Sequence, residues 1–316
     1  MTSTKTANAV DHLLDQPVIQ AIAAAGGAAY LDEIPHSAQD LRILKAAAEL
    51  DLLSQTAPSF FQLPGTDRRT VNARRFRGHV TCVSAARLYG YPTRELPVRT
   101  HLALQHNHGI RSTRSRPTAP VRIHRESRIT PAMVEGIPTV APTEAVARTL
   151  MCPDVEGIDA LAVLDSALNQ RHVTIPDLEE LLQGQWASRA RRLITQADPH
   201  ARSILETMAR TYVVQAGFRV RTGVIIDGVG ELDILVEELL DLETDGFAFH
   251  STPEQMRHDH ERDQRLIARG IIPLRLAYEH VMSGREYVVS AVRGALASFQ
   301  RMGLAPCTSS GPPAQP

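Results

Sequence analysis

The chain has 316 residues, of which 43% are apolar and 22% are charged, and these values exclude a wholly disordered, coiled-coil or collagen-like protein. A chain of this length is expected to form about two domains with separate cores. The net charge of −1 is unevenly distributed, because residues 68–128 contain 14 arginines and two acidic residues. This segregation indicates an anionic partner, with nucleic acid as the first expectation and a solvated basic face as the alternative.

The start of the chain and its cysteines predict a soluble cytoplasmic protein. No segment has about 18 uninterrupted apolar residues, and MTSTKTANAVDHLLDQ lacks a basic region followed by an apolar run. We therefore expect no membrane association. Cys82, Cys152 and Cys307 lie far apart without CxxC spacing, which argues against a disulfide framework or a zinc knuckle. The oligomeric state stays open.

Residues 15–67 predict a winged-helix-like domain. VIQAIAAAG gives an apolar helical face that ends at Gly26, and HSAQDLRILKAAAELDLL places Leu41 and Ala48 at helical intervals. LDLLSQTAPSFFQLPG then predicts two strands around a polar turn. Such a domain is typical of DNA recognition. Because residues 1–67 carry three basic and eight acidic side chains, a protein-contact or structural role is an equal alternative.

Residues 68–190 predict an Arg-rich mixed α/β region. GHVTCVSAARLYGYP predicts a helix, RTHLALQ and APVRIHRE alternate as strands do, and VEGIPTVAPTEAVARTLMC predicts a further helix. His101, His106, His108 and His124 suggest a metal, but their strand-like spacing among arginines favours surface contact. The candidate nucleic-acid contacts are Arg111, Arg114, Arg116, Arg122 and Arg125.

The pattern from residue 198 onward predicts the order helix, three strands, helix, strand. HARSILETMARTYVVQAG forms a helix with Glu206 near the edge of its apolar stripe. FRVRTGVIIDGVGELDILVE reads as a hairpin with Asp233 on its second strand, and LLDLETDGFAFH is the third strand with its exit. PEQMRHDHERDQRLIARG and IIPLRLAY supply the last helix and strand. The tail over residues 303–316 is rich in Pro, Ser and Gly and is expected to be disordered.

Carboxylates at the ends of adjacent strands can converge on one point. Asp233 and Glu243 each stand among apolar strand residues, where an unpaired charge would be costly to bury. Oxygen ligands from Asp and Glu are what Mg²⁺ requires, and the ion would polarise a scissile phosphate and activate water. A surface acid is the simpler interpretation of any one carboxylate, and Glu237 and Glu238 are typical of it.

The same residues resemble the PD-(D/E)XK nuclease superfamily, with Asp233, nine residues, then Glu243, and with Glu206 on the preceding helix. ETDGFAFH, RHDHERDQRLIARG and IIPLRL resemble, more closely, the small bacterial nuclease-like domains related to very-short-patch-repair endonucleases. The resemblance covers about residues 198–300. It implies a restriction-endonuclease-like α/β domain over 198–302 with a central mixed sheet, and Mg²⁺ or Mn²⁺ as cofactor. The implied metal ligands are Asp233, Glu243, Glu206 and the main-chain carbonyl of Thr244.

The chain departs from the superfamily pattern at its lysine. Asp245 stands in that place, and no lysine follows residue 45, so catalysis by a lysine is excluded. His250 matches the family's catalytic histidine and is the candidate for proton transfer, oriented by Asp259 or Asp263, with a structural histidine as the alternative. The predicted catalytic residues are Asp233, Glu243, His250, Glu206 and Asp245.

The upstream part resembles the antitoxin-type proteins of the abortive-infection type IV toxin-antitoxin group. HVTCVSAARLYG, RIHRE and GIPTVAPTEAVARTL carry this resemblance, which spans about residues 15–185. It implies DNA binding or autoregulation, with a cognate toxin or another defence protein as partner.

Three functions therefore stay open. The first is a Mg²⁺-dependent DNA endonuclease or nickase that holds DNA with its Arg-rich middle region. The second is a non-catalytic DNA-binding regulator of antitoxin type with a degenerate nuclease fold, which the missing lysine favours. The third is a protein-interaction scaffold. Repair, phage defence and toxin neutralisation all fit, and the sequence identifies no target.

Overall fold

The computed structural model describes residues 11–114, 116–245 and 252–301, without the side chains of Pro253, Gln255 and Gln300. The predicted disordered tail, 303–316, lies outside the described residues. The chain divides into two compact units. Unit 1 takes the described residues up to Glu156 together with His172–Arg191, and unit 2 takes Gly157–Arg171 and the described residues from Arg192 onward.

Helices and strands alternate in both units. The named α-helices are α1 (Pro17–Ala24), α2 (Ala38–Glu49), α3 (Arg68–Phe76), α4 (Cys82–Leu88), α5 (Pro142–Met151), α6 (Gly157–Asn169), α7 (Ile175–Leu181), α8 (Ala187–Ile194), α9 (Ile204–Gln215), α10 (Pro253–Ala268), α11 (Tyr278–Met282) and α12 (Arg285–Arg301). The named strands are β1 (Ala28–Tyr30), β2 (Ser54–Ala57), β3 (Phe60–Gln62), β4 (His79–Val80), β5 (Thr100–Gln105), β6 (Val121–Glu126), β7 (Pro131–Val134), β8 (Ile137–Val140), β9 (Val220–Arg221), β10 (Val224–Ile226), β11 (Gly230–Leu232), β12 (Ile234–Val236), β13 (Leu240–Asp245) and β14 (Ile272–Ala277). This composition confirms the predicted α/β (α+β) class. No helix of the described part of the chain is long and apolar enough to cross a membrane.

Unit 1 begins with α1, β1, α2, β2 and β3, so the two helices and the final pair of strands are as predicted for 15–67, whereas β1 is an additional strand. Strands β1, β3 and β2 form an antiparallel sheet in that order. Gly26 has a φ of 88°, a left-handed conformation that glycine adopts without strain and that ends α1 as expected. Ser37 caps α2, since its side chain accepts the backbone N–H of Asp40. Ile22 and Leu44 lie in the core beneath these elements.

The rest of unit 1 is built on a five-stranded mixed sheet with the order β6-β5-β4-β8-β7. Strands β5 and β6 are parallel, whereas β4 with β5 and β7 with β8 are antiparallel. The centre of the sheet is apolar, with Leu102, Ala103 and Leu104 of β5 almost fully buried. Helix α5 starts at Pro142, whose fixed φ and missing N–H suit the first turn of a helix.

Unit 2 contains a four-stranded mixed sheet with the order β14-β13-β12-β9. Strand β13 runs parallel to β14 and antiparallel to β12. Leu240 and Leu242 of β13 share one core with residues of α9 and α12. Leu235 of β12 and Leu266 of α10 belong to a second cluster, so helices cover both sides of this sheet.

The predicted hairpin over FRVRTGVIIDGVGELDILVE divides into two parts. Strands β10 and β11 form a separate antiparallel pair, while β9 and β12 join the larger sheet. Gly223, with a φ of 62°, separates β9 from β10, and Asp233 separates β11 from β12. The order helix, strands, helix, strand is otherwise as predicted.

A buried ion pair connects α6 and α9 within unit 2. Arg210 lies 2.9 Å from the carboxylate of Asp165, which also accepts hydrogen bonds from Thr207 and from the backbone N–H of Asp198. Asp165 is 1% exposed. Helix α6 packs against α9 and therefore belongs to unit 2. Helix α7, which follows it in the chain, belongs to unit 1.

Candidate functional site

Asp233 lies directly before β12, the strand that pairs with the Glu243-bearing strand β13. Strands β12 and β13 pair with Ile234 opposite Leu242, and continuing this register by one residue brings Asp233 to Glu243. Side chains alternate between the two faces of a strand, so Glu243 shares its face with Asp241 and Asp245. The register therefore gathers four carboxylates at one end of the sheet.

Glu206 enters the same region from the first turn of α9. Its backbone N–H donates to the Oγ of Ser203 at 3.1 Å, and its carboxylate accepts the backbone N–H of Arg202 at 2.9 Å. This reciprocal cap fixes the side chain, which is 9% exposed. Burial raises the pKa of Glu206, and the negative charge of Asp233 raises it further.

Asp233 is at the centre of this group electrostatically. Its charge raises the pKa of Asp241 and Asp245 as well, although burial is the larger cause for both. We refer to these residues as the acidic cluster, which consists of Glu206, Asp233, Asp241, Glu243 and Asp245. Asp233 is 24% exposed, whereas Asp241 is fully buried, so solvent reaches the cluster through Asp233.

Two arginines hold the buried side of the acidic cluster. Arg262 of α10 donates hydrogen bonds to Glu243 and, at 3.3 Å, to Asp241. Arg275 of β14 forms ion pairs of 2.9 Å with Glu243 and with Asp263 of α10. The side chains of Glu243 and Arg262 are each 14% exposed, which makes this a largely desolvated network.

A third arginine lies at the exposed side. Arg202 donates a hydrogen bond of 3.1 Å to Asp233, and its side chain is 52% exposed. The five carboxyl groups of the acidic cluster thus meet three guanidinium groups, and two negative charges remain when all five are ionised. Clustered negative charge of this kind is stabilised by a cation.

The donor chemistry suits a hard divalent cation, but in the described part of the chain no three of these acids offer ligand atoms close enough together to hold one ion. All five side chains offer carboxylate oxygens, the ligands that Mg²⁺ and Mn²⁺ prefer. Asp241 Oδ1 and Thr244 Oγ1 are buried and have no hydrogen-bond partner among the described residues. Burial raises the pKa of Asp241 to about 6, as expected for a carboxylate that lacks full compensation.

The remaining predicted residues of this site are placed as follows. Asp259 and Asp263 lie on α10; Asp263 pairs with Arg275, and the charge of Asp259 raises the pKa of Asp245. His250 lies outside the described residues, so its orientation by either aspartate stays a prediction.

The sequence reasoning missed Asp241 and the arginines of this site. Asp241 precedes Glu243 by two residues, and this spacing on a strand would have placed both on one face. No sequence signal identifies Arg202, Arg262 and Arg275 as neighbours of these acids, because tertiary packing sets which carboxylate each one meets.

Two of the predicted nucleic-acid contacts in unit 1 are engaged within the chain. Arg122 forms an ion pair of 2.9 Å with Asp154. Arg125 donates to the main-chain carbonyls of Gln105 and His108 and so fixes the turn after β5. Part of each guanidinium is therefore already occupied by an internal contact.

The other three predicted contacts follow β5 in an open loop. Arg111 and Arg114 are exposed. Arg116 is half-buried, and its guanidinium lies 5.7 Å from the ring centroid of Phe76. Arg111 and Arg114 are therefore the members of this set best placed to contact an anion.

A second arginine-rich surface of unit 1 was not singled out from the sequence. It is a cleft of about 310 Å³ to which Ser84, Leu96, Pro97 and Thr100 also contribute. The charged residues that line it are Asp67, Arg68, Arg69, Arg87 and Arg99. Four guanidinium groups and one carboxylate make it a candidate anion-binding surface.

The expectation that His101 and His124 form surface contacts is wrong. They are 5% and 7% exposed, although β6 is an edge strand of the five-stranded sheet. Their ring nitrogens, His101 Nδ1 and His124 Nε2, are 3.1 Å apart. Cys82 and Cys152 are buried beside them, so residues that are distant in sequence form one Cys/His cluster.

No protein-family model matches the chain, and no curated protein is similar to it. Among solved structures, the chain is similar to the crystal structure of RV2827C protein from Mycobacterium tuberculosis. The two are 15% identical, and the alignment covers 70% of this chain and 84% of that chain with a TM-score of 0.42. A similarity of this size carries no argument about function.

Proposed function

We propose that unit 2 is a divalent-cation-dependent DNA endonuclease or nickase of the PD-(D/E)XK type. The observation that carries this proposal is that Glu206, Asp241 and Asp245 are close enough to Asp233 for its charge to raise the pKa of each, with Glu243 between the two aspartates on β13. The excess of negative charge in a partly desolvated site supports a role for a cation.

Asp233, Glu243 and Glu206 are the residues that would hold Mg²⁺ or Mn²⁺. When bound, the ion would polarise the scissile phosphate and lower the pKa of a water ligand. Glu206 is held by the cap of α9, whereas Glu243 contacts Arg262 and Arg275, so binding of the ion would require Glu243 to exchange an arginine contact for the cation.

The other residues of the site suit contact with the substrate phosphate and proton transfer. Arg202 is half exposed and next to Asp233, where it could contact a phosphate oxygen of the substrate. Asp245 occupies the position of the superfamily's lysine, and burial raises its pKa, which makes it a stronger base than an ordinary aspartate. His250 remains the other candidate for proton transfer.

DNA is the proposed substrate because unit 1 carries separate features for binding it. Its first part has the strand order of a winged helix, and α2 exposes Gln39, Arg42 and Lys45 at three-residue spacing. Exposed Arg111 and Arg114 and the arginine-lined cleft would contact the phosphate backbone without sequence preference. We place the protein in the cytoplasm, where its substrate would be found.

A second function is favoured by a specific observation. Arg262 and Arg275 already neutralise Asp241 and Glu243, and the lysine is absent. A nuclease fold whose carboxylates are held by arginines could act as a non-catalytic DNA-binding regulator of antitoxin type. Its partner would then be a cognate toxin or another defence protein.

A Mn²⁺ titration by calorimetry separates these two functions, because both require DNA binding and only the first requires the cation. The nuclease proposal expects binding by the wild-type chain and its loss in Asp233→Asn. The matched control is Glu238→Gln, which removes an exposed acid that pairs with Arg221 on the same sheet. Absence of Mn²⁺ binding in the wild type would favour the regulator.

A further inference from the structure

We propose that Cys82, His101, His124 and Cys152 bind one structural zinc ion in unit 1. All four residues are buried, and the ligand atoms that they offer lie within 4.8 Å of one another. The proposal concerns unit 1 and does not depend on the nuclease function proposed for unit 2.

The spacing of the two ring nitrogens matches a tetrahedral site. Zn–N bonds of about 2.0–2.1 Å place two nitrogen ligands about 3.3 Å apart at a tetrahedral centre. The ring nitrogens of His101 and His124 are 3.1 Å apart. Sulfur ligands have longer bonds of about 2.3 Å, so wider separations involving Cys82 and Cys152 are expected.

The four ligands come from four different elements. His101 lies on β5 and His124 on β6, and the parallel register places His124 opposite Ala103, two residues beyond His101. Cys82 is the first residue of α4, and Cys152 directly follows α5. A zinc ion would therefore tie the ends of two helices to two strands, as structural zinc sites do.

The backbone at Cys82 is strained in a way that this role explains. Its φ is 53°, in the left-handed region that residues with a side chain rarely adopt. Such strain persists where the surroundings fix the residue, and a metal ligand is one such case. The backbone at Cys152 is fixed from another side, because Arg189 donates to the carbonyls of Leu150, Cys152 and Val155.

Charge and softness of the ligands select zinc over the ion proposed for unit 2. Two thiolates and one Zn²⁺ sum to zero with neutral imidazoles, so the buried group would carry no net charge. Thiolate and imidazole together are typical zinc ligands, whereas Mg²⁺ requires oxygen. Four protein ligands leave no open position for a substrate, which indicates a structural site.

Metal analysis of the full chain, expressed with zinc in the medium and purified without chelators, tests the proposal. We expect about one zinc per chain in the wild type and its loss in Cys152→Ser and His101→Ala. His106→Ala is the matched control, because His106 is exposed just after β5 and should leave the zinc content unchanged.

Two measurements on the wild type keep the test decisive if the variants do not fold. Replacement of zinc by Co²⁺ should give the visible absorption of a tetrahedral thiolate site, and a chelator should lower the thermal stability of the wild type. A wild-type chain without zinc, a Cys82–Cys152 disulfide in the purified protein, or full zinc content in a folded Cys152→Ser would overturn the proposal.

Discussion

Arg262 donates hydrogen bonds to both Asp241 and Glu243, two carboxylates on the same face of β13. The guanidinium neutralises charge that would otherwise be buried without compensation, and it does so whether or not a cation is bound. Arg262 therefore decides how far the acidic cluster depends on a cation for stability.

Arg262→Met should make the protein more dependent on divalent cations. The substitution leaves Asp241 without its arginine and Glu243 with Arg275 alone in a desolvated site, and we expect a loss of about 3–5 kcal/mol in the free energy of unfolding. Mn²⁺ binding to the folded state should restore part of this loss, so Mn²⁺ should raise the melting temperature of the variant more than that of the wild type.

Arg265→Met is the control for this experiment. Arg265 lies on the same helix but pairs with Glu261 at the surface, and its loss should cost about 0–1 kcal/mol with no change in the response to Mn²⁺. An equal response to Mn²⁺ in Arg262→Met and in the wild type would show that the cation does not meet these carboxylates.

Removal of Arg111 and Arg114 should weaken DNA binding in a salt-dependent way. Each lost phosphate contact flattens the slope of log affinity against log salt by about 0.9, so the double Ala variant should lose up to about 2 units of slope. Binding titrations at several salt concentrations measure this. Arg94→Ala is the control, because Arg94 is held by Glu156; an unchanged slope in the double variant would remove the loop from the DNA interface.

The stability of unit 1 should fall as the pH drops below about 6.5. Burial lowers the pKa of His79, and Arg74 lowers it further, so the unfolded chain binds this proton more tightly than the folded one. The stabilisation due to neutral His79 is fully present above the ordinary histidine pKa. It is lost as the pH falls toward the pKa that His79 has in the folded protein. For one histidine it amounts to at most about 1.4 kcal/mol per pH unit, less here because the ring is partly exposed.

His79→Gln should reduce this pH dependence without abolishing it. Metal ligands must be deprotonated, so loss of the zinc ion proposed for unit 1 at low pH has an effect on stability of the same sign. Denaturant unfolding of both proteins between about pH 5 and pH 7.5 measures the difference. If the free energy of unfolding changes with pH equally in the variant and the wild type, His79 titrates equally in the folded and unfolded states.

Local patterns predicted much of the fold. Apolar periodicity identified α2 and α9, and the stop at Gly26 and the sheet-forming pair LDLLSQTAPSFFQLPG were found as expected. These features depend on residues close in sequence, which is why sequence patterns report them. The division of one predicted hairpin into β9–β12 and β10–β11 was not visible, because it is decided by which strand each segment meets.

The candidate sites were predicted less completely, for a related reason. Asp233 and Glu243 are candidates because acids among apolar strand residues are unusual, and Glu206 is one through the family resemblance; their common role stays a prediction. Cys82 and Cys152 were judged too far apart for a common site, yet the contact between α4 and α5 brings them together. The partner of each arginine is likewise set by tertiary packing, which composition does not encode.

Cleavage of supercoiled plasmid DNA in Mn²⁺ tests the central claim most directly. The acidic cluster, if it holds the cation for hydrolysis, should convert supercoiled plasmid to nicked or linear forms. The Asp233→Asn variant should leave the plasmid supercoiled, and the Glu238→Gln variant should cleave it at the wild-type rate. A wild-type protein that binds the plasmid without cutting it, or a folded Asp233→Asn variant that cuts equally well, would contradict the account.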